Sequence, residues 1–130
     1  MENPRKRILI VEDDQFLREF YQELLQTEGY SIDLAPDGEM ASQKLSQGGY
    51  DLVMLDIMLP KKDGLQILKD LKTNPPKQTI GSIVVLTNLG QDAIIKQAFT
   101  YGAAGYIVKS AMNPDQILDE INNYLNSANK

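Results

Sequence analysis

Five short apolar runs punctuate the chain: Ile8-Leu9-Ile10-Val11, Ser31-Ile32-Asp33-Leu34-Ala35, Leu52-Val53-Met54-Leu55, Ile83-Val84-Val85-Leu86 and Tyr106-Ile107-Val108. The first, third and fourth contain no polar residue. A strand of that kind has no side that can face water, so it belongs in a sheet covered on both faces, usually a parallel one. The second and fifth runs are less apolar, which suits the edges of the sheet.

Helical patterns fill the intervals. Leu17, Phe20, Tyr21 and Leu24 recur at helical spacing, with Arg18, Glu19, Gln22 and Glu23 on the opposite face. Asp37-Gly38 opens a second helix that runs to about Gly48. Asp63 caps a third, with Gln66 three residues later in capping-box position. The fourth runs from about Gln91 to Tyr101 and ends near Gly102. In the fifth, Asn113 caps, Pro114 takes the first helical position and Gln116 completes the box. Its buried stripe is Ile117, Leu118, Ile121, Tyr124 and Leu125.

This alternation predicts a (βα)5 α/β domain. Right-handed crossovers leave few topologies. The flavodoxin-like three-layer sandwich, with parallel strand order 2-1-3-4-5, is chosen because it sets the first and third strands side by side at a switch point. No internal repeat, low-complexity stretch or linker interrupts it, and Pro75-Pro76 marks a loop. The chain, 1–130, reads as a single domain with a core of about 7–125. No output domain is expected within it after the fifth helix, whether the receiver stands alone or is cut from a longer regulator, and Ser127-Ala128-Asn129-Lys130 reads as a frayed tail.

Composition narrows the chemistry. The 130 residues include no cysteine and no histidine. That excludes disulfides, thiolate or imidazole metal sites, cysteine nucleophiles and a histidine phosphorelay residue within this chain. The net charge of −5 argues against direct nucleic-acid binding, which draws its affinity from lysine and arginine on phosphates. No apolar run approaches the ~18 residues of a membrane span, and the run behind the basic first residues is too short for a signal peptide. The chain is therefore expected in the cytoplasm, with no membrane partner.

In open α/β sheets, ligands bind beyond the carboxyl ends of the strands. The residues there are Glu12, Asp13 and Asp14 after the first strand, Asp56 after the third, Thr87 after the fourth and Lys109 after the fifth. Each alone has an ordinary reading. Acids before a helix stabilise its dipole, which suffices for Asp14. A lone aspartate caps a turn, a threonine favours strands and a lysine is solvated. Their conjunction on one edge is what carries chemistry. Glu12, Asp13 and Asp56 would crowd three negative charges into one pocket, a cost Lys109 and a divalent cation offset. An all-oxygen donor set suits Mg²⁺. Asp56 is then a carboxylate nucleophile of the aspartyl-phosphate type, with Thr87 and Lys109 as donors to phosphoryl oxygens.

Four segments, ILIVEDD (Ile8 to Asp14), DLVMLDIMLPKKDG (Asp51 to Gly64), VVLTN (Val84 to Asn88) and GAAGYIVKS (Gly102 to Ser110), resemble the response-regulator receiver domains of two-component signalling, many of them bacterial. The resemblance spans Arg7 to about Leu125 and implies a phosphoacceptor switch. Asp56 is the phosphoacceptor, with Glu12 and Asp13 as metal-site acids and the Met58 backbone carbonyl as a further Mg²⁺ ligand. Lys109 contacts the phosphoryl group. Thr87 and Tyr106 are a switch pair that reshapes the face made by the fourth helix, fifth strand and fifth helix. The implied partners are a sensor histidine kinase or phosphotransfer protein and a downstream protein target, with homodimerisation through that face on phosphorylation. Phe16, beside the metal acids, is a candidate partner contact.

Two positions depart from the family pattern. Ser110 follows Lys109 where proline is usual, so the loop that aims Lys109 is expected to differ. Asn88 follows Thr87 where a small residue is common, and narrows the path to Asp56. Met58 and Leu89 stand where the family tunes water access. Both are apolar, which predicts slow self-dephosphorylation. The chain is thus not an enzyme in its own right but assists its own phosphorylation. Three other readings are weaker. A small Mg²⁺-dependent phosphatase would need an acid where Met58 stands. A pseudo-receiver adaptor would not need the intact acids. A flavin binder would meet acids where a phosphate loop should be.

Overall fold

In the computed structural model, residues 5–88 and 90–128 are described. The elements alternate as the apolar pattern requires: β1 (Arg7–Val11), α1 (Gln15–Gln26), β2 (Ser31–Ala35), α2 (Gly38–Gln47), β3 (Leu52–Asp56), α3 (Gly64–Thr73), β4 (Ser82–Thr87), α4 (Asp92–Thr100), β5 (Gly105–Val108) and α5 (Pro114–Ala128). The five strands pair in parallel, in the order β2-β1-β3-β4-β5. The three wholly apolar runs fill the centre, and the two weaker ones form the edges.

Strand periodicity divides the core into two layers. Ile8 and Ile10, Leu52 and Met54, Val84 and Leu86, and Ile107 face one side, where Tyr21 and Leu25 of α1 and Ile117, Ile121 and Leu125 of α5 pack. Leu9 and Val11, Val53 and Leu55, and Val85 face the other, against Ala41 and Leu45 of α2, Ile67 and Leu68 of α3, and Ala98 of α4. Both layers exclude water, and this burial is the main drive to fold.

Capping follows the sequence signals at most helix starts. Asp14, Asp37 and Asp63 accept the N–H groups of Leu17, Met40 and Gln66, at 3.0, 2.9 and 2.9 Å. At α5 the reciprocal box is complete: Gln116 N–H donates to Asn113 Oδ1 and Asn113 N–H to Gln116 Oε1, both at 2.9 Å. The predicted box at α3 is only half formed, because the Gln66 amide reaches forward to Asp70 at 2.9 Å instead of back to Asp63. Part of the segment read from the sequence as a frayed tail is helical. Ser127 and Ala128 continue α5, while Asn129 and Lys130 lie outside the described residues. Among the described residues, no helix is long and apolar enough to cross a membrane.

Candidate functional site

The alternation that builds the core also sorts the site. Glu12 continues the Ile8–Ile10 face of β1, its N–H donating to Ala35 O at 3.1 Å as an extra rung of the ladder. Asp56 continues Leu52–Met54, and Lys109 continues Ile107, with its N–H on Thr87 O at 2.8 Å. These three groups therefore rise from the α1/α5 side of the sheet. Thr87 and Tyr106 alternate with Leu86 and Ile107, so both belong to the opposite face, in line with Val85.

At the carboxyl edge the predicted groups converge. Carboxylate oxygens of Glu12, Asp13 and Asp56 lie within 4.8 Å of one another. Glu12 is 0% exposed and Asp56 2%, whereas Asp13 is open to solvent. Lys109 Nζ sits between the two buried acids, 2.6 Å from Asp56 Oδ2 and 2.8 Å from Glu12 Oε1. The contact with Asp56 is an aligned hydrogen bond. That with Glu12 is an ion pair without such alignment, which leaves Glu12 Oε1 with no hydrogen bond. Glu12 Oε2 accepts the Asp14 N–H at 3.0 Å, and Asp56 Oδ1 accepts the Met58 N–H at 3.0 Å.

Burial pushes the Glu12 carboxyl up to about 7, against the lowering effect of Lys109 and the Asp14 N–H, and the charge of Asp56 adds to the rise. Burial draws the Lys109 ammonium down, but its contacts with Asp56 and Glu12 outweigh this and leave its pKa raised. Together they form a nest of buried acids that one ammonium compensates incompletely.

The donor set fits a hard divalent cation. Every candidate ligand is an oxygen, two carboxylates are held by backbone N–H groups, and a buried oxygen of Glu12 lacks a hydrogen bond. The cleft, about 550 Å³, is lined by Glu12, Asp13, Asp56, Met58, Asn88 and Lys109 among others. Asn88 is exposed on its rim. Ser110 also lines it, and every described peptide bond is trans, Lys109–Ser110 included. Leu89 lies outside the described residues.

The remaining expected residues are not among those that line the cleft. Thr87 is buried, with its Oγ1 unpartnered. Tyr106 is 44% exposed, its ring edge-on to Phe99 with centroids 6.3 Å apart. Phe16, in the first turn of α1, is 77% exposed.

Two residues that the sequence pattern did not single out also shape the site. Arg18 Nη1 donates to the carbonyls of Glu12 and Asp13 at 2.9 and 3.3 Å, tying the acid loop to α1. Its place one turn after Asp14 is the signal that finds it. Gly64 passes so close to the third strand's end that a Cβ would stand 2.7 Å from Asp56 O and 2.8 Å from Ile57 Cα.

A flavodoxin-like sheet with acids and a lysine gathered at its switch point defines the class of CheY-like receiver domains. The response regulator receiver domain family matches residues 8–122, and the chain belongs to that family. Chemotaxis protein CheY of Halobacterium salinarum is 32% identical over 120 residues, covering 92% of this chain and 97% of the relative. Transcriptional regulatory protein DltR of Streptococcus agalactiae is 39% identical over 115 residues, covering 88% of this chain and 50% of DltR. The chain thus spans about half the length of such transcriptional regulators. A CheY-like receiver domain protein from Methanospirillum hungatei superposes with a TM-score of 0.86 at 26% identity, over 97% of this chain and 98% of that one. A two-component response regulator from Clostridium difficile gives 0.85 at 28% identity, over 97% and 100%. The chain is a signalling domain of two-component systems rather than a conventional enzyme.

Proposed function

We propose that this receiver domain is a phosphoacceptor switch in which Asp56 takes a phosphoryl group from a phosphohistidine on a sensor kinase or phosphotransfer protein. The observation that carries this reading is the nest itself: a buried Asp56 bonded to Lys109, with the Glu12 and Asp13 carboxylates within 4.8 Å. In the transfer, an Asp56 oxygen forms the new O–P bond while the P–N bond of the donor breaks. The electron pair leaves with the imidazole nitrogen. Glu12, Asp13, Asp56 and the Met58 carbonyl would hold Mg²⁺, which supplies positive charge to the phosphoryl oxygens.

The chain's own residues do the rest. Lys109 moves from Asp56 Oδ2 to a phosphoryl oxygen, freeing the carboxylate to react. The Thr87 hydroxyl has no partner to give up and can donate to another phosphoryl oxygen. Tyr106, now exposed with its ring against Phe99, then turns inward. That change reaches the α4-β5-α5 face, which a downstream protein or a second copy of the chain reads. Exposed Phe16 is a contact for the phosphodonor. The added charge acts on a two-state element, as in other phosphorylation switches. Receiver core 7–125 contains all of these parts.

The test is intact mass after incubation with Mg²⁺ and acetyl phosphate. Wild type should gain one phosphoryl group. Asp56→Asn, or wild type with the metal chelated, should gain none. A wild type that folds but gains no phosphoryl would refute the reading.

A further inference from the structure

The α1/α5 side of the sheet holds a buried, unpartnered polar atom that the switch does not use. Tyr21 is 1% exposed, and its hydroxyl has no hydrogen-bond partner. A phenylalanine would fill the same space without the penalty of burying an unsatisfied hydroxyl. The hydroxyl is therefore expected to find a partner in some state of the protein.

Its placement says which one. Tyr21 sits one helical turn after Leu17, which lines the cleft. Helical side chains lean toward the helix N-terminus, which for α1 is the end beside Asp14 and the carboxyl edge of the sheet. Tyr21 packs in the layer of Ile8, Ile10, Leu52, Met54 and Ile107, the very faces that Glu12, Asp56 and Lys109 extend. After burial, the charges felt by the phenol are those of Glu12, Lys109 and Asp56. Among those three groups, the polar atom that also lacks a hydrogen bond is Glu12 Oε1, which faces the Lys109 ammonium at 2.8 Å.

We propose that Tyr21 is a positioning residue for the acid nest. Its hydroxyl takes over Glu12 Oε1, directly or through one water, when Lys109 turns to the phosphoryl group. This rests on the phosphoacceptor reading above. When Lys109 turns away, Glu12 Oε1 loses the ion pair that now faces it. The Tyr21 hydroxyl, buried on the same face, offers that oxygen a donor alongside the metal. The hydroxyl is thus idle in the resting state and engaged in the phosphorylated one.

The test compares wild type with Tyr21→Phe, which deletes one oxygen and keeps the ring. In chelator, the urea midpoint of Tyr21→Phe should equal or exceed that of wild type, because the resting hydroxyl has no partner. Phosphoryl uptake from acetyl phosphate with Mg²⁺, followed by intact mass, should slow by about tenfold, the order of one hydrogen bond to a charged group. The ¹³Cζ resonance of Tyr21, identified by its absence in Tyr21→Phe, should move on phosphorylation of wild type. Uptake at the wild-type rate, or an unmoved resonance, would overturn the inference. A midpoint that falls along with uptake would make Tyr21 a merely structural residue and overturn it too. A wild type that takes no phosphoryl defeats the underlying phosphoacceptor reading, a result that none of the other outcomes resembles.

Discussion

Without metal, the domain should lose stability as pH rises through neutrality, and Glu12 should be the cause. Its carboxyl moves from 4.5 in the unfolded chain to about 7 in the folded one, chiefly through burial. The folded state therefore binds the proton more tightly. The stability this gives is fully present below pH 4.5 and is lost as pH rises through about 7. A shift of that size corresponds to roughly 3 kcal/mol in total at about 1.4 kcal/mol per unit, of which about 1 kcal/mol falls between pH 6 and 8. That window is unusually clear, since the chain has no histidine. Lys109, raised above 10.5, loses its contribution only at higher pH, and Asp37 and Asp70, lowered below 3.8, lose theirs only in acid. The assay is urea unfolding by far-UV circular dichroism in chelator at pH 6 and pH 8. Wild type should be less stable at pH 8, Glu12→Gln should show no such difference, and saturating Mg²⁺, which favours the ionised carboxyl, should abolish it. A wild type with equal stability at both pH values, or a slope that persists in Glu12→Gln, would refute the argument.

Lys109→Met should destabilise the metal-free protein by about 2–3 kcal/mol at pH 8, below the ~3–5 kcal/mol of a sealed ion pair because the cleft is open on one side; urea midpoints with and without Mg²⁺ check this, and Mg²⁺ should restore part of the loss. Gly64→Ala should cost about 1–3 kcal/mol as its Cβ meets the Asp56 carbonyl, and it should also slow phosphoryl uptake because that carbonyl belongs to the acceptor residue. Once formed, the Asp56 phosphoryl should persist well beyond short motility-type signals, since the Met58 side chain on the cleft cannot orient water. Intact-mass decay after removal of the donor measures this: Met58→Asn should shorten the half-life, and a wild-type half-life of a few seconds would count against the idea.

The sheet was legible because its signals are redundant. Three uninterrupted apolar runs can sit only in the middle of a covered sheet, and the two diluted ones only at its edges. The α5 start was equally plain, since Asn113, Pro114 and Gln116 all point to one geometry. Where a residue has two partners within reach, the pattern says less. Gln66 can reach back to Asp63 or forward to Asp70, and spacing alone does not choose. At the site, strand ends gave the positions of Glu12, Asp13, Asp56, Thr87 and Lys109. They did not show that Glu12 is buried while Asp13 is exposed. That follows only from counting alternation through β1 and past its last residue. Nor could Tyr21 be separated from its apolar neighbours on the α1 stripe. A phenol and a phenyl ring read alike in a hydrophobic pattern, and the unpartnered oxygen appears only once the layers are packed.

Lys109 and Asp56 are 53 residues apart in the chain, and each stands at the end of a different strand. No local segment can bring them together, and neither can any helix forming on its own. They meet only when β3, β4 and β5 have all joined the sheet, among the slowest kinds of pairing a chain can make. A half-folded molecule would thus have no pocket with which to receive a signal. The act of accepting phosphate becomes a check on assembly, so immature or locally opened copies stay silent rather than transmit an error.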